Sequence, residues 1–107
     1  MSKQIDINAP LKVSMIKVQG EYIGTRVESQ YGEAPVKTIY LKLTHLIPGI
    51  PATICECNLW DDTIKSFEKL PIKQDSIIKV RGKLFTVYED LARNAIVAQI
   101  DVATITL

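Results

Sequence analysis

The stretch Ser76-Ile77-Ile78-Lys79-Val80-Arg81-Gly82-Lys83-Leu84-Phe85-Thr86-Val87-Tyr88 most constrains what this chain can fold into, because its alternating positions carry two kinds of chemistry. Ile78, Val80, Gly82 and Leu84 form one set; Ile77, Lys79, Arg81, Lys83 and Phe85 form the other. Period two is the period of a strand, so one face buries while the other displays three cations and a ring in a row. Cations beside a ring suit a single-stranded nucleic acid, whose phosphates attract the charges and whose unpaired bases stack on the ring. The plainer alternative is a half-buried strand whose lysines keep its outer face soluble.

A chain of 107 residues is long enough for one core and too short for two, so a single domain over residues 1–107 is expected. With 47% hydrophobic and 23% charged residues, and no low-complexity run, the composition is that of a globular protein. Thirteen Lys and Arg against twelve Asp and Glu leave a net charge of +1, so any attraction for a polyanion must come from sorting charges onto one face. No uninterrupted apolar run could span a bilayer and the start has no signal-peptide pattern; no membrane partner and a cytoplasmic location are expected. Cys55 and Cys57, two apart on one strand, sit near the limit of disulfide reach and read as free thiols.

In chain order, residues 1–10 read as a flexible polar arm ending at Pro10. Residues 11–27 are β-rich, but the apolar phase slips from odd (Leu11, Val13, Met15) to even positions (Ile16, Val18, Tyr22), which predicts a bulge or sharp bend near Met15, with Gly20 and Gly24 as further points where a long strand could coil. Residues 28–35 read as a loop carrying Tyr31. A second strand over residues 36–45 places Ile39, Leu41 and Leu43 on one face and Thr38, Tyr40, Lys42 and Thr44 on the other. Ile47-Pro48-Gly49-Ile50-Pro51 is a turn of type II character. Residues 53–60 form a third strand, with Cys55, Cys57 and Leu59 inward, the phase preferred because it leaves no carboxylate inside. Asp61-Asp62-Thr63 offers an N-cap for a short amphipathic helix through Ile64, Phe67 and Leu70, stopped by Pro71. After the Gln74-Asp75 turn comes the central strand, then a polar loop over residues 89–94, then a last strand over residues 95–106.

Five strands, the first long and bent, with one short helix between the third and fourth, predict an all-β fold: the five-stranded Greek-key barrel of the oligonucleotide/oligosaccharide-binding (OB) fold. In that order, Cys57-Asn58-Leu59-Trp60, Ile64 to Leu70, Lys73 to Leu84 and Val97 to Leu107 resemble the bacterial and phage-type single-stranded DNA-binding proteins. Val13 to Gly20 is similar to that family more faintly. The resemblance implies a protein that coats single-stranded DNA with little sequence preference during replication or recombination. It also implies a homodimer or homotetramer joined through residues near Leu11 to Val18, with replication or recombination proteins as further partners. Two departures stand out: Asp61-Asp62 follows Trp60 where the family has small or basic residues, and the family's acidic C-terminal tail is missing, which fits either a compact form or a removed tail.

The candidate DNA-binding residues are Lys79, Arg81, Lys83 and Phe85 of the central row, Trp60 at the end of the third strand, and Tyr40 with Lys42 on the second. Tyr31, Tyr88 and Arg93 join them from the loops that flank the usual ligand groove of this fold. For Trp60 and the tyrosines the alternative is ordinary packing; Tyr22 is ambiguous and Phe67 reads as core. One histidine and no nucleophile motif leave an enzyme without its constellation, and no cofactor is expected. His45 with Cys55 and Cys57 is a possible zinc set, one ligand short of a structural site. The rival function is a barrel that docks onto a replication or primosome protein through the apolar turn at residues 47–51.

Overall fold

The computed structural model describes residues 15–31 and 34–107, with residues 27–31 and 34–35 described by backbone alone. The expected arm at residues 1–10 and the strand start at residues 11–14 lie outside the described residues. The elements follow as β1 (Met15–Tyr31), β2 (Ala34–Leu43), β3 (Ile54–Trp60), α1 (Asp61–Glu68), β4 (Ile77–Asp90) and β5 (Ala95–Thr106). The strands close a barrel in the order β1-β2-β3-β5-β4, with β4 returning to β1. All neighbours are antiparallel except β3 and β5, whose parallel pairing requires the crossover supplied by α1 and β4. A closed five-stranded barrel with its one helix between β3 and β4 is the OB-fold arrangement. Among the described residues no helix is long and apolar enough to cross a membrane.

Alternation decides which side chains enter the barrel. Ile78, Val80 and Gly82 of β4 are buried while Lys79, Arg81 and Lys83 are exposed. On β3, Cys55, Cys57 and Leu59 are fully buried, and with Ile39, Leu41, Ile78 and Ile100 they form the centre of the core. α1 closes the barrel by burying Ile64 and packing Phe67 against that core. Its N-cap is Trp60, not the expected Asp61-Asp62-Thr63: the Thr63 hydroxyl reaches back to accept from the Trp60 N–H and donate to the Trp60 carbonyl, both at 2.8 Å. Asp61 and Asp62 fall in the first turn, where the helix dipole favours carboxylates. The Ile47–Ile50 turn closes with a 2.9 Å hydrogen bond and places Gly49 at φ +77°, the left-handed position of a type II turn.

Three backbone expectations are corrected. Residues 28–35 are largely strand, because β1 and β2 stay paired up to Tyr31 opposite Ala34. The irregularities of β1 fall at Tyr22/Gly24, where Gly24 is one of the two expected coiling points, and at Arg26/Ser29, whereas Met15, the expected place of the bulge or bend, pairs smoothly with Lys83. They follow the point where β1 leaves β4 (last pair Glu21↔Ile77) for β2, and a bulge supplies the added twist that this change of partner needs. β4 is broken in its register with β5 at Arg81/Gly82 and again at Leu84/Thr86, so Phe85 sits in a bulge and not in an unbroken row. A Cβ on Gly82 would collide with the Asp101 carbonyl oxygen, so only glycine lets the two backbones approach at the first of these breaks.

Candidate nucleic-acid interface

The outer face of β2, β3 and β5 is built from polar side chains standing directly opposite one another. Arg26 Nη2 donates to Thr38 Oγ1 at 3.3 Å, Thr38 Oγ1 donates to Asn58 Oδ1 at 3.0 Å, and Asn58 Nδ2 donates to Asp101 Oδ1 at 3.4 Å. Each is a register pair, so this chain of bonds crosses β1, β2, β3 and β5 in one line. A second line centres on Glu56, which accepts from Tyr40 (3.3 Å), from Tyr88 (2.7 Å) and from the Gln99 amide.

Glu56 corrects the reasoning behind the β3 phase. The phase is as expected and Glu56 points outward, yet it is only 3% exposed because Tyr40, Tyr88 and Gln99 cover it. A buried carboxylate is tolerated only when hydrogen bonds replace its water, and three donors do so here. Burial, and then the hydrogen bond to Glu56, pushes the Tyr88 phenol well above its ordinary pKa. Burial, ahead of the Glu56 charge, raises that of Tyr40. Both phenols therefore remain donors through the neutral range.

Tyr40 is likewise on the outer face as expected, but it is buried, with the Arg93 guanidinium 3.8 Å from its ring centroid. Its ring is covered by a cation–π contact and is not open to a base. Arg93 is steered there by the β4–β5 loop, in which Asp90 Oδ1 accepts from the N–H groups of Ala92 (3.0 Å) and Arg93 (3.3 Å) while Asp90 Oδ2 lies 3.5 Å from Arg93 Nε.

Trp60 and Phe85 come together. The half-buried indole and the 70% exposed phenyl line one cavity of about 340 Å³, with Arg26, Asn58, Gln99 and Asp101 as polar lining. The first hydrogen-bonded line thus runs along the cavity wall, with two rings presented from different strands. Lys79, Arg81 and Lys83 are exposed on β4 leading to Phe85, and none has an ion pair or hydrogen bond among the described residues. Lys42 stands opposite Glu21 and Ile54 and lines none of these features. Tyr31 ends β1, and its side chain lies outside the described residues.

The possible zinc set is not assembled: Cys55 and Cys57 point into the core, their Sγ atoms 3.7 Å apart, while His45 is exposed and bonded to Thr44. The hydrogen bond with Cys55, then burial, pushes the Cys57 thiol well above its usual pKa. Sequence reasoning missed Arg26, Glu56, Asn58, Gln99 and Asp101. Their signal was the matched spacing of Glu56 with Asn58 and of Gln99 with Asp101, which means something only once β3 and β5 are known to pair in parallel. Searched against protein-family models and against curated proteins, the sequence matches none of either.

Proposed function

We propose that this barrel binds single-stranded DNA with little sequence preference, stacking bases on Trp60 and Phe85 and drawing phosphates along Lys79, Arg81 and Lys83. The observation that carries the reading is the pairing of those two rings across one cavity, at the end of a row of cations with no partner among the described residues. Every base has a face to stack, so such a site is tolerant of sequence. Tyr88 and Arg93 serve it indirectly, Tyr88 by fixing Glu56 and Arg93 by covering Tyr40. The role is protection of the strand during replication or recombination, by the resemblance to the single-stranded DNA-binding proteins. Assembly as a homodimer or homotetramer belongs to this reading: beyond β4, residues 15–18 of β1 have no second strand paired to them among the described residues, and an open edge is a template for another strand.

Trp60 is the only tryptophan, so its fluorescence reports the cavity directly. Oligo-dT should quench it saturably and more weakly as salt rises, while duplex of the same length should not. No quenching by oligo-dT at low salt would overturn the reading. Docking of a protein on the apolar turn is the second reading, favoured by the 68% exposure of Leu46 beside it, and it would then take precedence.

A further inference from the structure

Lys17 and Arg81 stand directly opposite each other in the β1–β4 pairing, both exposed. Like charges placed this way repel, and neither has an acidic partner among the described residues to offset it. Lys79 lies one alternation further along β4 on the same side. These three cations border a second cavity, of about 370 Å³, lined by none of the residues of the Trp60–Phe85 cavity. The β-branched side chains of Val18 and Val80 lie at its apolar floor, and exposed Leu46 forms part of its wall. Thr104 and Thr106 of β5 add two hydroxyls that can both donate and accept. A mostly apolar cavity lined as well by threonine hydroxyls and by cations matches an unpaired nucleotide, whose base is flat and apolar on its faces, polar on its edges, and joined to anionic phosphates.

We propose that this β1–β4 cavity is a second nucleotide-binding site, which takes the same DNA strand after it leaves Trp60 and Phe85 along the β4 cations. The inference rests on the function proposed above. From Lys79 to Phe85 is about 20 Å of strand at ~3.3 Å per residue, so only a strand of several nucleotides can occupy both ends.

The test compares oligo-dT of ~4 and ~16 nucleotides, the span of footprints seen for one barrel of this fold, by Trp60 fluorescence against salt. Lys17→Ala should flatten the plot of log affinity against log salt by about 0.7 for the long oligomer and leave the short one unchanged. Thr104→Val, which keeps the shape and removes the hydroxyl, should weaken the long oligomer several-fold with no change of slope. Both residues are exposed, and an unchanged urea midpoint and an unchanged mass by light scattering verify that each variant folds and assembles as the wild type does, the second check being needed because Lys17 lies on the β1 edge. If long oligo-dT quenches Trp60 equally in the wild type and both variants, the second site is wrong and the first stands. If the variants weaken both lengths alike, there is one site and not two. If oligo-dT does not quench the wild type at all, both proposals fall. If polyglutamate binds the wild type and loses affinity on Lys17→Ala while oligo-dT does not, the cavity serves an acidic protein segment.

Discussion

Asn58 on β3 and Arg81 on β4 both point outward from strands of one barrel, yet Asn58 is hydrogen-bonded on both sides and Arg81 on neither among the described residues. The contrast extends to their surroundings. Across β2, β3 and β5 the outward polar groups satisfy one another, to the point of burying Glu56 and Thr38. Along β1 and β4 the outward cations Lys79, Arg81 and Lys83 follow one another, and Arg81 stands opposite Lys17 with no ion pair among the described residues. Polar groups that satisfy each other stabilise and orient a surface, whereas repelling charges gain only when an external anion arrives. On the function proposed above, the first region would be the scaffold that aims Trp60 and Phe85, and the second the electrostatic half of the binding surface.

The sharpest way to break this contrast is to exchange the consequences of mutation. Glu56→Ala should cost stability, at ~1–3 kcal/mol for the buried Tyr40 hydroxyl left without an acceptor and further loss from Tyr88 and Gln99. Arg81→Ala should stay within about 0.5 kcal/mol of the wild type, as surface changes usually do. Urea denaturation compares the two directly, and equal losses would erase the distinction. Next in size, Trp60→Ala or Phe85→Ala should weaken oligo-dT binding by roughly 1–3 kcal/mol per stacked base without altering its salt dependence; Phe85→Ala is read by anisotropy of labelled oligo-dT alongside Trp60→Ala. Smaller again, Lys79→Ala, Arg81→Ala or Lys83→Ala should each flatten the salt plot by about 0.7, with the urea midpoint unmoved.

The smallest effect is confined to alkaline pH. Because the folded Tyr88 phenol holds its proton above its ordinary pKa of 10.0, it contributes stability that is complete below about pH 10 and is lost as pH climbs into the raised range. Tyr88→Phe should remove that part of the alkaline decline, leaving a shallower fall of the urea midpoint with pH. An identical decline in the variant would place the alkaline sensitivity elsewhere.

Much of the barrel was legible because period two survives in its central strands: the burial of Ile39, Leu41, Cys55, Cys57, Leu59, Ile78 and Val80 follows from alternation alone. The helix was equally plain, with Ile64 and Phe67 spaced for one face and Pro71 to end it. What alternation cannot reveal is whether an outward residue acquires a second cover. Tyr40 and Glu56 point outward and are buried all the same, since Tyr88, Arg93 and Gln99 reach them from strands and loops more than thirty residues away. The bulges of β4 were invisible for a related reason. Nothing in Leu84-Phe85-Thr86 announces the slip against Ile100 and Gln99, which follows from the closure of the whole barrel. Trp60 and Phe85 were thus identifiable as candidates singly, and their meeting in one cavity required the fold.

The packing of Cys55 against Cys57 also bears on how the protein ages. Both thiols are sealed in the core and Cys57 resists ionisation, so an oxidant in solution reaches neither sulfur while the barrel is closed. Damage must wait for an opening that exposes β3, the strand bound on both sides by β2 and β5. Chemical lifetime in an oxidising environment then follows how often the barrel opens, and a mutation that loosens the core shortens it even where no contact to sulfur is touched.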